Sequence, residues 1–265
     1  MEQPNKNIKL VSNKNSRVIL PNILTLVGVC IGLTSIKFAF DGKFELSIIA
    51  VIVAGIIDGL DGRIARLIKG TSKVGKELDS LTDVISFGVA PAFIMYFWSL
   101  SEIGRLGWLI SLIYVICVAL RLARFNINSE AEASWKDNFF EGIPSPAGGI
   151  LVLMPLIYSF SEIQFFNPNY KFIVPILFIS ISVLLISKIP TYSLKKIVVP
   201  RSTTIFLLFV VVLYFGLLLI YTFNTLIISG ALYLLMIPVS AVHYLIINKN
   251  SKIKSDNIDH HEDVL

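Results

Sequence analysis

The chain has 265 residues, of which 55% are hydrophobic and only 15% are charged, and its mean hydropathy is +0.76. Soluble domains typically carry about 25% charged residues, so this composition excludes a soluble protein and indicates an integral membrane protein. The formal net charge of +5 suits an anionic lipid surface. No basic, aromatic-rich soluble module is evident, so we expect membrane lipids and no nucleic acid as partners.

Apolar stretches follow one another along the whole chain. A membrane-spanning helix needs roughly 17–25 largely apolar residues. Eight stretches meet or nearly meet this length, at about 19–39, 46–66, 80–99, 105–125, 146–163, 171–189, 204–222 and 226–246. We therefore predict an all-α integral membrane protein with about eight transmembrane helices. A single membrane-embedded domain, 16–248, is expected between a polar N-terminal tail, 1–15, and a polar C-terminal tail, 249–265.

Basic residues are distributed unevenly between the two sides that these spans define. Nineteen of the 23 Lys and Arg residues fall in the tails and loops on the side that holds both termini. Because loops rich in Lys and Arg remain in the cytosol, we predict that both termini are cytosolic. The connection between the second and third spans lies on this side, so its charged residues are expected to face the cytosol.

The most charged part of the predicted membrane domain is residues 56–88, "IIDGLDGRIARLIKGTSKVGKELDSLTDVISFG". Its charged and small residues recur at helical spacing, which places them on one face of each helix. These residues are Asp58, Asp61, Gly62, Ala65 and Arg66 on the second span, and Gly75, Asp79 and Asp83 at the entry of the third. A short loop makes the two helices antiparallel neighbours, so four carboxylates are expected to converge at the cytosolic boundary of the membrane.

Four carboxylates at close range repel one another unless cations hold them. Oxygen ligands in this number suit Mg²⁺ or Mn²⁺, and two divalent ions are the natural occupancy. Gly62 and Ala65 leave space on the same face, and Arg66 offers donors to phosphate oxygens. The pattern therefore predicts a site of metal-assisted phosphoryl transfer.

Two other interpretations of this stretch are available. Taken singly, each aspartate could be solvated or paired with a lysine, and each small residue could serve helix packing. The full set argues against this reading, since carboxylates near a bilayer are costly and four at helical spacing on adjoining faces are improbable by chance. A cation transporter is a second alternative, which would place its carboxylates near the middle of the membrane rather than at one edge.

The stretch carries the motif D-x2-D-G-x2-A-R-x8-G-x3-D-x3-D, which resembles the signature of the CDP-alcohol phosphotransferases at all eight defined positions. This resemblance implies the fold of that family and a two-metal site with Asp58, Asp61, Asp79 and Asp83 as ligands. It also implies that Asp83 is the general base that takes the proton of the attacking alcohol. The nucleotide and its diphosphate would lie along Gly62, Ala65, Arg66 and Gly75.

Other segments resemble a narrower group, the CDP-diacylglycerol–serine O-phosphatidyltransferases of bacteria and archaea. They are "VISFGVAPA", "LRLARFNI", "FFEGIPSPAGG" and "PTYSLKK", and the similarity runs from about residue 19 to residue 200. The resemblance implies CDP-diacylglycerol and L-serine as substrates, CMP as the leaving group, a homodimer, and a site facing the cytosol at a bacterial cytoplasmic membrane. A different acceptor alcohol, as in a phosphatidylglycerophosphate synthase, keeps the same chemistry and stays an alternative.

Two further groups of residues are candidates for substrate contacts, and each has a structural alternative. Cationic and amide side chains at the end of the fourth span could hold the serine carboxylate, or could simply anchor the helix on the positive side. Polar residues beside the motif resemble family positions near the nucleotide, or could cap or begin helices. The first group is Arg121, Arg124 and Asn126, and the second is Ser72, Asn22 and Thr25.

Overall fold

A computed structural model describes residues 13–68, 70, 72–128, 139–164, 168–192 and 201–262 of the chain. Nearly all of these residues are helical. The helices are α1 (Asn13–Phe40), α2 (Phe44–Leu67), α3 (Lys73–Asp83), α4 (Ala90–Trp98), α5 (Arg105–Asn128), α6 (Ser145–Phe160), α7 (Tyr170–Ile186), α8 (Arg201–Ile220) and α9 (Thr222–Glu262). A π-helical segment, Val84–Val89, joins α3 to α4 in one continuous rod, and a 3₁₀ turn, Leu100–Ile103, follows it.

The predicted all-α membrane fold is confirmed, with one helical segment for each of the eight predicted spans. Five of the described helices are long and apolar enough to cross a membrane, covering 19–40, 73–98, 105–127, 203–220 and 222–247. The helices α6 and α7 are apolar but shorter, and α2 carries most of its charged residues at its C-terminal end. The third segment begins at Lys73 rather than near residue 80, because the Ser72 side chain caps the helix there.

The proposed division into a membrane domain and two tails has no matching break in secondary structure. The boundary at 15/16 lies inside α1, and the boundary at 248/249 lies inside α9, which continues to Glu262. The three-part division therefore stays a prediction.

Small residues bring α1 against both α2 and the third helical segment. Gly28 and Gly32 lie one turn apart on α1, and a Cβ atom at Gly32 would stand 2.6 Å from the Ser86 Oγ and 3.2 Å from the Ser86 Cα. On the α2 side, the Ser47 hydroxyl donates a hydrogen bond of 2.7 Å to the Ser35 carbonyl. Close approach through small residues and interhelical hydrogen bonds is how helices associate within a membrane. The N-terminal part of α1 is thereby held beside the end of α2 and the start of α3.

The π-helical segment is fixed from two sides at Phe87. The hydroxyl of Tyr114 on α5, whose side chain is fully buried, donates a hydrogen bond of 2.7 Å to the Phe87 carbonyl. On the other side, a Cβ atom at Gly149 of α6 would stand 3.1 Å from that carbonyl oxygen and 3.2 Å from the Phe87 Cα. Since π-helical turns leave the regular i to i−4 pattern, such outside contacts help to determine where the turn forms. Asp83 immediately precedes the segment, so these contacts also determine the position of its carboxylate.

We expect Gly149→Ala to destabilise the protein because the added methyl group would press against the backbone of Phe87. Overpacking of this kind typically costs about 1–3 kcal/mol. Gly216→Ala is the matched control, since a Cβ atom there meets nothing within 4 Å. Thermal unfolding in detergent should show a lower midpoint for Gly149→Ala and an unchanged or slightly higher one for Gly216→Ala. Equal midpoints would show that α6 can move away from Phe87 at little cost.

A two-stranded antiparallel ribbon links two connections of the bundle. Strand β1 (Phe139–Glu141) precedes α6, strand β2 (Pro190–Tyr192) follows α7, and Phe140 lies opposite Thr191. The Thr191 hydroxyl donates a hydrogen bond of 2.7 Å to the carbonyl of Gly142, a residue whose φ of +74° suits glycine. Helix α9 packs against β2, which brings the last helix of the bundle to this ribbon.

Candidate active site

The four aspartates of the motif meet where α2 ends and α3 begins. Asp58, Asp61 and Asp79 each offer an oxygen atom, and these three atoms lie within 4.8 Å of one another. Asp83 follows Asp79 by one turn of α3, and its carboxyl group lies within hydrogen-bonding reach of Asp58 on α2. The predicted convergence of the four carboxylates is therefore what the structure shows.

The surroundings of this carboxylate cluster, Asp58, Asp61, Asp79 and Asp83, fit a divalent metal centre. The Asp58 Oδ1 and Asp83 Oδ1 atoms are buried and accept no hydrogen bond from the residues that the structure describes. Neither of the two salt bridges found among those residues, Lys37–Asp41 and Lys171–Glu102, involves the cluster. Buried anionic oxygens without donors are costly, and oxygen-only sites of this kind suit hard divalent cations. The donor set is thus appropriate for a metal, whose identity the geometry does not specify.

Thr25 of α1 orients one member of the cluster. Its hydroxyl lies 2.6 Å from Asp61 Oδ2 and 3.0 Å from the Pro21 carbonyl. Asp61 is only 2% exposed, and a hydrogen bond to one of its oxygens fixes the direction of the other. Thr25 was predicted to lie near the nucleotide, and it borders the same cavity as Asp61.

A cavity of about 480 Å³ opens beside the cluster. It is bordered by every residue that the sequence assigned to the CDP-lipid and by two of the aspartates. These residues are Asn22, Thr25, Gly62, Ala65, Arg66, Ser72 and Gly75, together with Asp61 and Asp79. The cavity is therefore bordered both by carboxylates that can hold a metal ion and by the guanidinium of Arg66. This combination suits a ligand with two phosphate groups, one bound through the metal and the other by the arginine.

Two glycines of the motif border this cavity, and the absence of a side chain matters for a different reason at each. A Cβ atom at Gly62 would meet only the end of the Arg66 side chain, at 3.8 Å, so glycine there leaves empty space rather than relieving a clash. At Gly75, a Cβ atom would stand 2.8 Å from the Asn22 Oδ1, so glycine is what allows α1 and α3 to approach. Ser72 accepts a hydrogen bond of 2.9 Å from the Gly75 amide, which confirms the helix cap.

Two basic residues at the cavity were missed as site residues by the sequence analysis. Lys73 and Lys76, in the first turn of α3, border the cavity together with Pro21 and Gly70. They were counted only as positive charge of the cytosolic loop. The spacing in the sequence could have identified Lys76 as a site residue. Lys76 precedes Asp79 by three residues and therefore lies on the same face of the helix.

The three candidate serine-binding residues of α5 lie in different environments. Arg121 is 9% exposed, donates a hydrogen bond of 2.7 Å from Nη1 to Ser145 Oγ, and lies close to Asp83. Arg124 donates from Nη1 to the Ile186 carbonyl at the end of α7, at 2.8 Å, and Asn126 Nδ2 donates to Ser80 Oγ at 2.9 Å. Arg121 therefore lies within electrostatic range of the carboxylate cluster without forming an ion pair with it, whereas the other two residues make contacts between helices.

Comparisons with known proteins identify the family of this chain. Residues 18–253 match the family described as CDP-alcohol phosphatidyltransferase. A CDP-diacylglycerol–serine O-phosphatidyltransferase of Mycobacterium leprae is 39% identical over 184 residues, which are 69% of this chain and 61% of that protein. The enzyme of the same name from Helicobacter pylori strain 26695 is 38% identical over 69% of this chain and 76% of its own. An archaetidylserine synthase of Methanothermobacter thermautotrophicus is 32% identical over 66% and 70%.

The coverage of these relatives is partial. The matched part spans 61% of the Mycobacterium leprae protein and about half, 51%, of the Mycobacterium bovis relative. The family match itself covers most of the chain and contains the four aspartates and the whole cavity. This integral membrane protein belongs to the CDP-alcohol phosphatidyltransferase family.

Proposed function

We propose that this protein is a phosphatidylserine synthase, which transfers the phosphatidyl group of CDP-diacylglycerol to the hydroxyl of L-serine and releases CMP. The observation that carries the proposal is the carboxylate cluster at the wall of a cavity that also presents Arg66, with the buried Arg121 beside Asp83. The names of the relatives from Mycobacterium leprae and Helicobacter pylori support serine as the acceptor.

In this proposal, Asp83 is the general base. Its carboxylate accepts the proton of the serine hydroxyl as the serine oxygen bonds to the phosphorus that carries the lipid. The bond between that phosphorus and the bridging oxygen of the diphosphate breaks, and CMP leaves with the electron pair. An alcohol is a weak acid, so a base positioned within reach of the hydroxyl lowers the barrier. The buried Asp83 Oδ1, which has no donor among the described residues, is suited to that role.

The proposed cofactors are two divalent ions, Mg²⁺ or Mn²⁺, held by Asp58, Asp61, Asp79 and Asp83. When bound, such ions neutralise charge on the diphosphate and on the leaving oxygen. Thr25 keeps the Asp61 carboxylate oriented. Arg66 and Lys73 contribute positive charge to the cavity wall, where they would bind phosphate oxygens of the CDP-lipid.

The place of the cluster in the bundle favours a lipid-processing enzyme over a cation transporter. Asp58 and Asp61 lie in the C-terminal half of α2, and Asp79 and Asp83 lie in the N-terminal half of the continuous segment 73–98. The carboxylates therefore lie in the halves of the two segments that adjoin the α2–α3 connection, and Asp61 and Asp79 lie nearest to that connection. A headgroup reaction needs such a position, because the diphosphate of CDP-diacylglycerol lies at the surface of the membrane.

The orientation and the assembly of the protein are part of the same proposal. The excess of Lys and Arg on one side supports cytosolic termini and a cytosolic active site, at the cytoplasmic membrane of a bacterium. Such a site would be open to water-soluble serine and to release of CMP. The homodimer expected from the family resemblance stays a prediction.

The direct test is CMP release by the purified protein with CDP-diacylglycerol and Mn²⁺, with either L-serine or glycerol 3-phosphate as the acceptor. We expect release with L-serine and formation of phosphatidylserine, detected by mass spectrometry. Release with glycerol 3-phosphate alone would identify a phosphatidylglycerophosphate synthase instead. Transport of Mn²⁺ into vesicles without any dependence on CDP-diacylglycerol would favour the transporter.

A further inference from the structure

A tyrosine of the last helix reaches the region of the active site. The hydroxyl of Tyr233, on α9, is buried and has no hydrogen-bond partner among the residues that the structure describes. It lies close to the Thr191 side chain and to the Arg121 guanidinium. The Thr191 proton is already directed to the Gly142 carbonyl. Because the Tyr233 hydroxyl forms no hydrogen bond within the described residues, it can donate its proton to a ligand.

Arg121 is the second incompletely bonded group in the same place. Its side chain is buried, its Nη1 donates to Ser145 Oγ, and its Nε is buried without a partner in the described part of the chain. Asp83 lies close to this guanidinium. Helices α5 and α9 thus contribute an unpaired N–H and an unpaired O–H to one polar region, which borders the proposed general base.

Two unpaired donors inside a membrane protein call for an explanation. A buried hydroxyl without a hydrogen bond costs roughly 1–3 kcal/mol, and a buried charged group costs more. Buried polar groups are nearly always bonded to protein, water or ligand. Both donors point to a bound anion, because a guanidinium and a phenol can bond the two oxygens of one carboxylate.

The chemistry of the acceptor fits this arrangement. In L-serine, two carbon atoms separate the carboxylate carbon from the hydroxyl oxygen. An acceptor whose carboxylate is bound at Arg121 therefore keeps its hydroxyl within a few ångströms of that carboxylate, in the region where Arg121 and Asp83 interact electrostatically. An alcohol without an anionic group would leave both donors unpaired, and such a loss is what makes a polar site selective.

We propose that Tyr233 is a specificity-determining residue that donates a hydrogen bond to the acceptor's carboxylate, which Arg121 binds at the same time. This inference rests on the proposed function, and it adds a residue from a helix that carries no family motif. Tyr233 selects the acceptor and does not take part in proton transfer.

The test is Tyr233→Phe, which removes only the hydroxyl, assayed by CMP release with L-serine and with L-serinamide, which lacks the carboxylate. We expect the KM for L-serine to rise about 10-fold or more, as expected for loss of a hydrogen bond to a charged group. The preference for L-serine over L-serinamide should fall by a similar factor, and the KM for CDP-diacylglycerol should stay within about twofold of wild type. Tyr214→Phe on α8 is the matched control, since its ring contacts Phe215 away from the site.

The outcomes separate this inference from the proposed function. If the wild type uses L-serine and Tyr233→Phe has an unchanged KM for it, the role of Tyr233 is overturned and the synthase assignment stands. A variant that loses affinity for CDP-diacylglycerol to the same extent also overturns the role, because the hydroxyl would then support the whole site. If the wild type accepts glycerol 3-phosphate and not L-serine, the synthase assignment fails first, and the carboxylate contact fails with it.

Discussion

Asp83→Asn should lower the rate of CMP release by at least about 100-fold, because general-base catalysis contributes roughly 10²–10⁴-fold and an amide does not accept the proton of an alcohol. Binding of CDP-diacylglycerol should be largely retained. The other three carboxylates of the cluster keep their positions, and the cavity that borders Arg66, Gly62 and Gly75 does not include Asp83. The measurement is single-turnover CMP release beside equilibrium binding of the CDP-lipid.

Asp41→Asn is the matched control for this variant. Asp41 pairs with Lys37 at the C-terminal end of α1, far from Thr25 and the carboxylate cluster. The pair is partly exposed. Exposed ion pairs contribute only about 0–1 kcal/mol, so this variant should bind and turn over like the wild type. Turnover by Asp83→Asn within about tenfold of wild type would remove Asp83 from the role of base. Loss of CDP-lipid binding would instead show that Asp83 acts mainly as a metal ligand.

Removal of divalent metal should abolish CMP release, and it should also change the stability of the protein in a diagnostic way. One oxygen atom from each of Asp58, Asp61 and Asp79 lies within 4.8 Å of the other two. Without cations, these carboxylates repel one another and destabilise the folded state. Mn²⁺ binding to the folded state should therefore raise the midpoint of thermal unfolding. At an ion concentration 100 times the Kd, the stabilisation is about 2.7 kcal/mol.

Asp58→Asn should change how the midpoint of thermal unfolding responds to divalent metal. In EDTA, the variant should unfold at the same temperature as the wild type or at a higher one, because one of the repelling charges is gone. On addition of Mn²⁺, its midpoint should rise much less than that of the wild type, and CMP release should stay at least about 100-fold lower. Asp41→Asn again serves as the control and should respond to Mn²⁺ as the wild type does. A variant with an undiminished Mn²⁺ response would show that Asp58 is not a ligand.

These predictions depend on how closely the catalytic and acceptor regions are coupled. Asp83 ends α3, and the π-helical segment that follows it is held by Tyr114 of α5 and by Gly149 of α6. Arg121 lies on α5 and Ser145 at the start of α6, so the same two helices also carry the proposed carboxylate site. A substitution that shifts α5 or α6 should therefore affect both the base and the acceptor, whereas Tyr233→Phe should affect the acceptor alone.

Local spacing was enough to predict the half of the candidate site that holds the four aspartates. The aspartates at i and i+3 on α2, and at i and i+4 on α3, share helix faces because an α-helix has 3.6 residues per turn. A short connection then forces the two helices to be neighbours. For the same reason, hydropathy located all eight helical segments, since the thickness of the bilayer dictates how long an apolar run must be.

The acceptor half could not be obtained in this way. Arg121, Arg124 and Asn126 are near neighbours in the sequence, yet only Arg121 is brought to Asp83, because rotation about the helix axis sends the three side chains in different directions. The π-helical segment is another example, since its formation depends on contacts with α5 and α6 that no local pattern encodes.

The sequence alone determined the membrane fold and predicted the cluster of carboxylates and the proposed phosphoryl-transfer chemistry, because each follows from composition or from spacing within a few helical turns. Only the tertiary structure decided that Arg121 is the α5 cation within electrostatic range of Asp83, and that Tyr233 of α9 is within electrostatic range of Arg121. Arg121 and Tyr233 are separated by more than 100 residues, and α9 is apolar over most of its length in the membrane. Their proximity results from side-chain packing between helices of similar hydropathy, which the bilayer does not distinguish from one another.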